Sequence, residues 1–164
     1  MRLYLIGMPG CGKSTIGKLL SDRIGYQFID MDNYIEQKAC MFIDEIFDLY
    51  GEDYFRALEA NVLDEFNSMD DVIIATGGGV IKNKNNKSKM NGKCIYINTS
   101  IENIKKHLAT SSIERPLLKK YTVEDLYNER KYLYEYFSDI VVENEEIEAT
   151  ITNIRKELGL WLGY

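Results

Sequence analysis

Gly7-Met8-Pro9-Gly10-Cys11-Gly12-Lys13-Ser14-Thr15 is the stretch whose reading decides the fold of this chain. It fits the phosphate-loop pattern G-x-x-x-x-G-K-[ST], and its flanks fit the context that pattern requires. Before it, Leu3-Tyr4-Leu5-Ile6 is a short apolar run of the kind that makes a buried strand. After it, Ile16, Leu19, Leu20 and Ile24 fall 3, 4 and 8 residues from Ile16, the apolar stripe of a helix. The glycines let the backbone wrap a polyphosphate with its N–H groups, and the helix N-terminus adds partial positive charge. Gly10, Cys11, Gly12, Lys13, Ser14 and Thr15 are therefore the expected cradle for a nucleoside triphosphate. Lys13 is placed to reach the β- and γ-phosphates, and the Ser14 hydroxyl to take a position on Mg²⁺.

The rest of the chain bounds this reading. With 164 residues, a single domain spanning 1–164 can bury about 70% of its unfolded surface. No apolar run approaches the roughly 18 residues of a membrane span, and Met1-Arg2-Leu3-Tyr4 leads at once into the first strand, so no signal peptide is expected. The three cysteines, Cys11, Cys40 and Cys94, lack C-x-x-C spacing. A disulfide framework or zinc site is thus disfavoured, and a reduced, cytoplasmic setting is expected. A net charge of −6 argues against a nucleic-acid partner. The local cluster Lys82, Lys84, Lys87, Lys89 and Lys93 lacks aromatic interleaving and is expected to be a solvated connection.

Strand and helix signals alternate along the chain. Tyr26-Gln27-Phe28-Ile29 is a second strand, running into Asp30-Met31-Asp32 at the end where open α/β sheets bind ligands. If the segment stays extended, both carboxylates point to one side; alternatively Asp32 caps the helix that begins at Asn33-Tyr34-Ile35-Glu36. Ile43, Ile46, Phe47 and Tyr50 share a helical face that Gly51 ends. A further helix, from Glu52 to about Ser68, carries Phe55, Leu58, Val62 and Phe66. On it Arg56 and Glu59, three apart, can pair, which on a surface amounts to less than about 1 kcal/mol. Val72-Ile73-Ile74-Ala75 is a third strand and delivers Thr76-Gly77-Gly78-Gly79, either a flexible turn or backbone that approaches a ligand closely. Cys94-Ile95-Tyr96-Ile97-Asn98 is a fourth strand, followed by a helix with Ile101, Ile104 and Leu108.

The segment from Ala109 to Tyr121, with Arg115-Pro116-Leu117-Leu118, has the composition of a flap. From Thr122 a longer helix carries Val123, Leu126, Tyr127, Arg130, Tyr134 and Phe137. Arg130 lies on the apolar stripe and so needs an anionic partner, a structural carboxylate or a bound anion. Ile140-Val141-Val142 is a fifth strand, Ile147, Ile151, Ile154 and Leu158 mark a final helix, and Leu160-Trp161-Leu162 is expected to pack as a tail. Strands alternating with helices imply a three-layer α/β/α fold with a parallel sheet of about five strands.

These motifs in this order resemble the shikimate kinase family of P-loop kinases. The resemblance rests on Phe28-Ile29-Asp30-Met31-Asp32, Ile46-Phe47, Gly51-Glu52, Phe55-Arg56 with Glu59, Thr76-Gly77-Gly78-Gly79, Arg115-Pro116-Leu117-Leu118, and Arg130 with Tyr134. It implies strand order 2-3-1-4-5, a substrate subdomain near residues 32 to 62 and a closing lid near 110 to 121. It also implies Mg²⁺-dependent transfer from ATP to the 3-hydroxyl of shikimate, on the route to chorismate and the aromatic amino acids, by an enzyme expected to act as a monomer. Carried over residue by residue, Arg56 and Arg130 would hold the substrate carboxylate, for which a planar fork is suited. Asp32 would bind ring hydroxyls and take the attacking proton, and Gly78 and Gly79 would offer backbone N–H groups. Glu59 would orient Arg56, Asp30 would join Ser14 in the magnesium shell, and Lys13 with Arg115 would neutralise charge on the transferred group.

One departure is that Leu108 stands where the family often has a second arginine near the adenine. The base contacts are then expected from the backbone of the loop from Glu143 to Ile147. His107, the only histidine, is expected on a helix surface without a role, and Cys11 as a small filler. The rivals are a gluconate or nucleoside monophosphate kinase on the same scaffold, and a nucleotide-binding module without transfer activity.

Overall fold

The computed structural model describes residues 1–112 and 115–160. Five strands, β1 (Arg2–Ile6), β2 (Gln27–Asp30), β3 (Val72–Ala75), β4 (Lys93–Asn98) and β5 (Ile140–Glu143), form one parallel sheet in the order β2-β3-β1-β4-β5. The central strands are continuously apolar because a parallel sheet is covered on both faces. Leu3 to Ile6 and Val72 to Ile74 have no exposed surface at all. Among the described residues, eight helices connect and cover the strands: α1 (Lys13–Ile24), α2 (Met31–Ala39), α3 (Ile43–Tyr50), α4 (Glu52–Phe66), α5 (Asn86–Lys89), α6 (Ile101–Thr110), α7 (Val123–Phe137) and α8 (Ile147–Glu157).

Register fixes which helix lies on which face. Gly17 of α1 sits against Leu5 and Phe28, so α1, with α8 beside it, covers the face carrying Leu5. Tyr96 pairs in register with Ile6 and therefore points the other way. There its ring stacks on Tyr134 of α7 at 5.2 Å between centroids, which places α7 on the opposite face. Among the described residues, no helix is long and apolar enough to cross a membrane.

Several local expectations need correction. The lysine-rich stretch is solvated as expected, with Lys82, Lys84, Lys87 and Lys93 exposed, but it is more than a plain connection. A turn at Val80–Lys82 and the short α5 run through it, with Asn86 buried and its Nδ2 donating to the Val80 carbonyl at 2.8 Å. Tyr50 does not join the inward face of α3; it is exposed and stacks on Tyr54. In α8, Ile151 and Ile154 are buried, whereas Ile147 is exposed at the helix start. Leu160 closes the described C-terminal part through a backbone bond to Arg155; Trp161 and Leu162 of the expected tail lie outside the described residues.

Candidate active site

The loops after β1, β2, β3 and β5 open at the carboxyl ends of the strands onto one cleft of about 1180 Å³. This is the ligand position expected of an open α/β sheet. Gly10, Gly12, Lys13, Ser14 and Thr15 line one part of it, Asp32, Arg56, Glu59, Gly78, Gly79 and Arg130 another, and Arg115 lies along the same cavity. Cys11 is different: it is fully buried behind the loop. Lys13 folds its ammonium back onto the carbonyls of Gly7 (2.8 Å) and Met8 (2.9 Å), so meeting a phosphate means exchanging these bonds.

The two aspartates after β2 divide their work differently from either sequence reading. Asp30, not Asp32, is the N-cap of α2, accepting from the Asn33 N–H at 3.2 Å. The helix begins at Met31, so the segment is not extended through Asp32. Asp30 also accepts from the Ser14 hydroxyl at 2.6 Å, which brings the two expected magnesium ligands together. Asp32 sits in the first turn of α2 with Oδ1 enclosed and without a hydrogen-bond partner among the described residues. Burial, reinforced by the charge of Asp30, pushes its carboxyl up to about 6, against the pull of Lys13, Arg115 and Arg56.

Arg56 and Glu59 do not form a surface pair. Arg56 Nη1 donates to Glu59 Oε1 at 2.5 Å, and Glu59 has no exposed surface. On its other side Arg56 donates to Glu52 Oε1 at 3.3–3.4 Å, an oxygen that Lys82 also holds at 2.7 Å. The guanidinium is thus clamped between two carboxylates of its own helix. Burial pushes the Glu59 carboxyl upward, although Arg56 beside it pulls the other way. Arg130 is buried, as its place on the apolar stripe of α7 demands, and its Nε and Nη2 find no acceptor among the described residues. Buried guanidinium donors without partners, facing a cleft, suit a bound anion better than a structural carboxylate.

The glycine triplet has a packing reason. A Cβ on Gly77 would lie 2.8 Å from Glu59 Oε2 and 2.9 Å from Asp32 Oδ1, and one on Gly79 would overlap the Arg56 guanidinium. Tyr134, one helical turn beyond Arg130, donates its hydroxyl to the Gly78 carbonyl and so ties the triplet to α7.

The family model of shikimate kinase matches residues 9–158. The chain belongs to the shikimate kinase family. A curated shikimate kinase of Clostridium botulinum is 45% identical over 160 residues, covering 94% of this chain and 95% of that one. Among solved structures, shikimate kinase from Bacteroides thetaiotaomicron superposes with a TM-score of 0.88 at 28% identity, covering 98% of this chain and 99% of the other. Shikimate kinase from Acinetobacter baumannii in complex with shikimate gives 0.81 at 30% identity, with 98% and 94% covered.

Some residues at the site of this kinase escaped the sequence reading. His107 is exposed on α6, as expected, and its Nδ1 lies 2.8 Å from the Gly10 carbonyl. Next to it, Leu108 packs over Gly10, and both line the cleft. Asn144 and Thr99, each far from the glycine loop in sequence, bond it from behind. The close approach of Gly79 to Arg56 yields a direct prediction. Gly79 has φ −100° and ψ 7°, which alanine adopts without strain, so Gly79→Ala should leave the fold intact. Its new methyl displaces the Arg56 fork, and kcat/KM for shikimate is expected to fall about 10–100-fold. Steady-state kinetics with shikimate varied at saturating ATP check this; an unchanged value would mean that Arg56 is not part of the acceptor site.

Proposed function

We infer that the chain transfers the γ-phosphoryl group of ATP to the 3-hydroxyl of shikimate, giving shikimate 3-phosphate and ADP on the route to the aromatic amino acids. Beyond family membership, the observation that carries this reading is that Arg56, Arg130 and Asp32, from α4, α7 and α2, face one cleft continuous with the phosphate loop. Shikimate carries groups complementary to these: a carboxylate for the guanidinium groups of Arg130 and Arg56, and hydroxyls for the Asp32 carboxylate, whose Oδ1 has no partner among the described residues. With its carboxylate held, the acid places a ring hydroxyl toward Asp32, which accepts the proton as the oxygen attacks phosphorus. The backbone N–H groups of Gly78 and Gly79 add donors on the same side.

The phosphate loop holds the triphosphate, and the base lies beside it toward Leu108 and Ile147, which line the same cleft. Phosphoryl transfer passes through a loose transition state, so positioning and charge neutralisation carry most of the catalysis. Lys13 and Arg115 supply two of those charges. A serine hydroxyl and a carboxylate 2.6 Å apart beside the loop are the hard oxygen donors that Mg²⁺ takes, so Ser14 and Asp30 fit its shell, Asp30 with water between. The ion, when bound, neutralises charge across the β- and γ-phosphates. Residues 32 to 62 form the acceptor-binding subdomain, and 110 to 121 form a lid that excludes water from the phosphoryl group. Ile113 and Glu114 of that lid lie outside the described residues; its turn at Pro116–Lys119 rests against α3 of the subdomain.

Turnover of Mg-ATP measured in parallel with shikimate, gluconate and nucleoside monophosphates tests the proposal. Transfer to shikimate alone is the expected result. Preferential transfer to gluconate or a nucleotide would point to a rival kinase, and nucleotide binding without transfer to any of the three to a module that has lost the chemistry.

A further inference from the structure

Two buried side chains grip a single carbonyl of the phosphate loop. Thr99 Oγ1 donates to the Cys11 carbonyl at 2.8 Å, and Asn144 Nδ2 donates to the same oxygen at 2.9 Å. Thr99 is 3% exposed and Asn144 5%. The grip is itself fixed: Asn144 Oδ1 accepts from Thr150 Oγ1 at 2.9 Å, and Asn144 Nδ2 also reaches Thr99 Oγ1 at 3.2 Å. A carbonyl oxygen has two lone pairs, and here each has a donor.

The consequence lies on the other side of the peptide. A trans peptide is planar, with C=O and N–H pointing in opposite directions. Fastening the Cys11 carbonyl toward the ends of β4 and β5 therefore turns the Gly12 N–H toward the cleft that Gly12 lines. Nothing in the loop's own sequence secures this orientation. Gly12 has φ 99°, and a glycine tolerates the flipped peptide as well, so the loop alone could turn its carbonyl, an anion-repelling group, into the phosphate site.

We propose that Thr99 and Asn144 are positioning residues for the triphosphate, holding the Cys11–Gly12 peptide with its N–H outward as a ready hydrogen-bond donor to an anion. This rests on the cleft being the ATP site. The effect falls on the phosphates and not on the base, although Asn144 belongs to the loop that borders the base end.

Calorimetric titration of the full-length protein with ADP, inorganic triphosphate and adenosine separates these effects. Wild-type protein is expected to bind ADP and triphosphate; failure to bind either would refute the ATP reading itself and the positioning role with it. Given that binding, Thr99→Val and Asn144→Ala should each weaken ADP and triphosphate about three- to tenfold, and the double variant, because the two side chains share one carbonyl and touch each other, should depart from the product of the single losses. Adenosine affinity should stay within about twofold, and Thr99→Ser, which keeps the hydroxyl, should restore ADP affinity. Triphosphate binding unchanged in the variants, or equal losses for adenosine and ADP, would overturn the assignment. Should Asn144→Ala not fold, the Thr99→Val and Thr99→Ser pair gives the same comparison without touching the base-side loop.

Discussion

Asp32→Asn is expected to lower the turnover number by roughly 10²–10⁴-fold, the range for loss of a positioned general base. The variant keeps the shape of the side chain and one acceptor oxygen, so shikimate should still bind, with KM changing far less than kcat. What it loses is the ability to take the proton of the attacking hydroxyl. The position of Asp32 suits that role. One carboxylate oxygen is enclosed, without a partner among the described residues, within the field of Lys13, Arg115 and Arg56. A loss confined to KM would make Asp32 a binding group and not a base.

The same substitution should stabilise the metal-free protein, and the sign follows from the direction of the shift. Burial and the neighbouring Asp30 hold the folded carboxyl at about 6, above its ordinary value of 3.8. A carboxyl raised by folding favours the native state below its unfolded pKa and loses that contribution as pH rises through the folded one. Above about pH 7 the ionised group therefore costs on the order of 1–3 kcal/mol, which the neutral amide does not. Thermal unfolding in the presence of a chelator should show Asp32→Asn melting a few degrees above wild type at pH 8. The gap should narrow toward pH 5. A variant less stable at pH 8 would show that the enclosed oxygen is better solvated than its surroundings indicate.

How far such a site can be read from sequence depends on the range of the interactions that build it. The strands were legible because burial on both faces leaves continuous apolar runs, as in Leu3-Tyr4-Leu5-Ile6. Arg130 was legible because helical spacing sets it among Leu126, Tyr134 and Phe137, all buried. The strand order, by contrast, came from the family resemblance, since alternation of elements does not choose between topologies. For the cap of α2 the sequence offers Asp32 as one alternative and gives no reason to choose Asp30, because two aspartates two residues apart carry the same local signal. Only the helix start at Met31, together with a bond to Ser14 sixteen residues away, separates them. Thr99 and Asn144 carried no local signature at all. Their partner is a backbone carbonyl 88 and 133 residues distant, and an isolated threonine or asparagine at a strand end resembles any turn residue. Burial of Glu59 was hidden for a related reason: a carboxylate three residues from an arginine reads as a surface pair until the glycine triplet closes over it.

Arg115→Ala is expected to reduce turnover about 10³-fold while ATP affinity stays within about threefold, the pattern of a charge needed mainly at the transition state. Arg115 stands just before the turn Pro116–Lys119, whose first residue, a proline, fixes the chain direction there, and that turn leans on α3 of the proposed acceptor subdomain. Its Nε is buried and finds no acceptor among the described residues, and its charge is felt at Asp32, the base proposed for the attacking hydroxyl. A guanidinium that lines the cleft shared with the phosphate loop is available to the charge that spreads over the equatorial oxygens of the moving phosphoryl group. Lysine carries the charge but not the planar fork, so Arg115→Lys should recover only part of the rate. Because the same segment is proposed to exclude water, the ratio of ATP hydrolysis to transfer should rise in Arg115→Ala. Single-turnover rates with pre-bound ATP and shikimate, set beside ADP titration, measure both quantities. Equal losses in nucleotide affinity and turnover would assign Arg115 to ground-state binding, and an unchanged turnover number would remove it from the reaction.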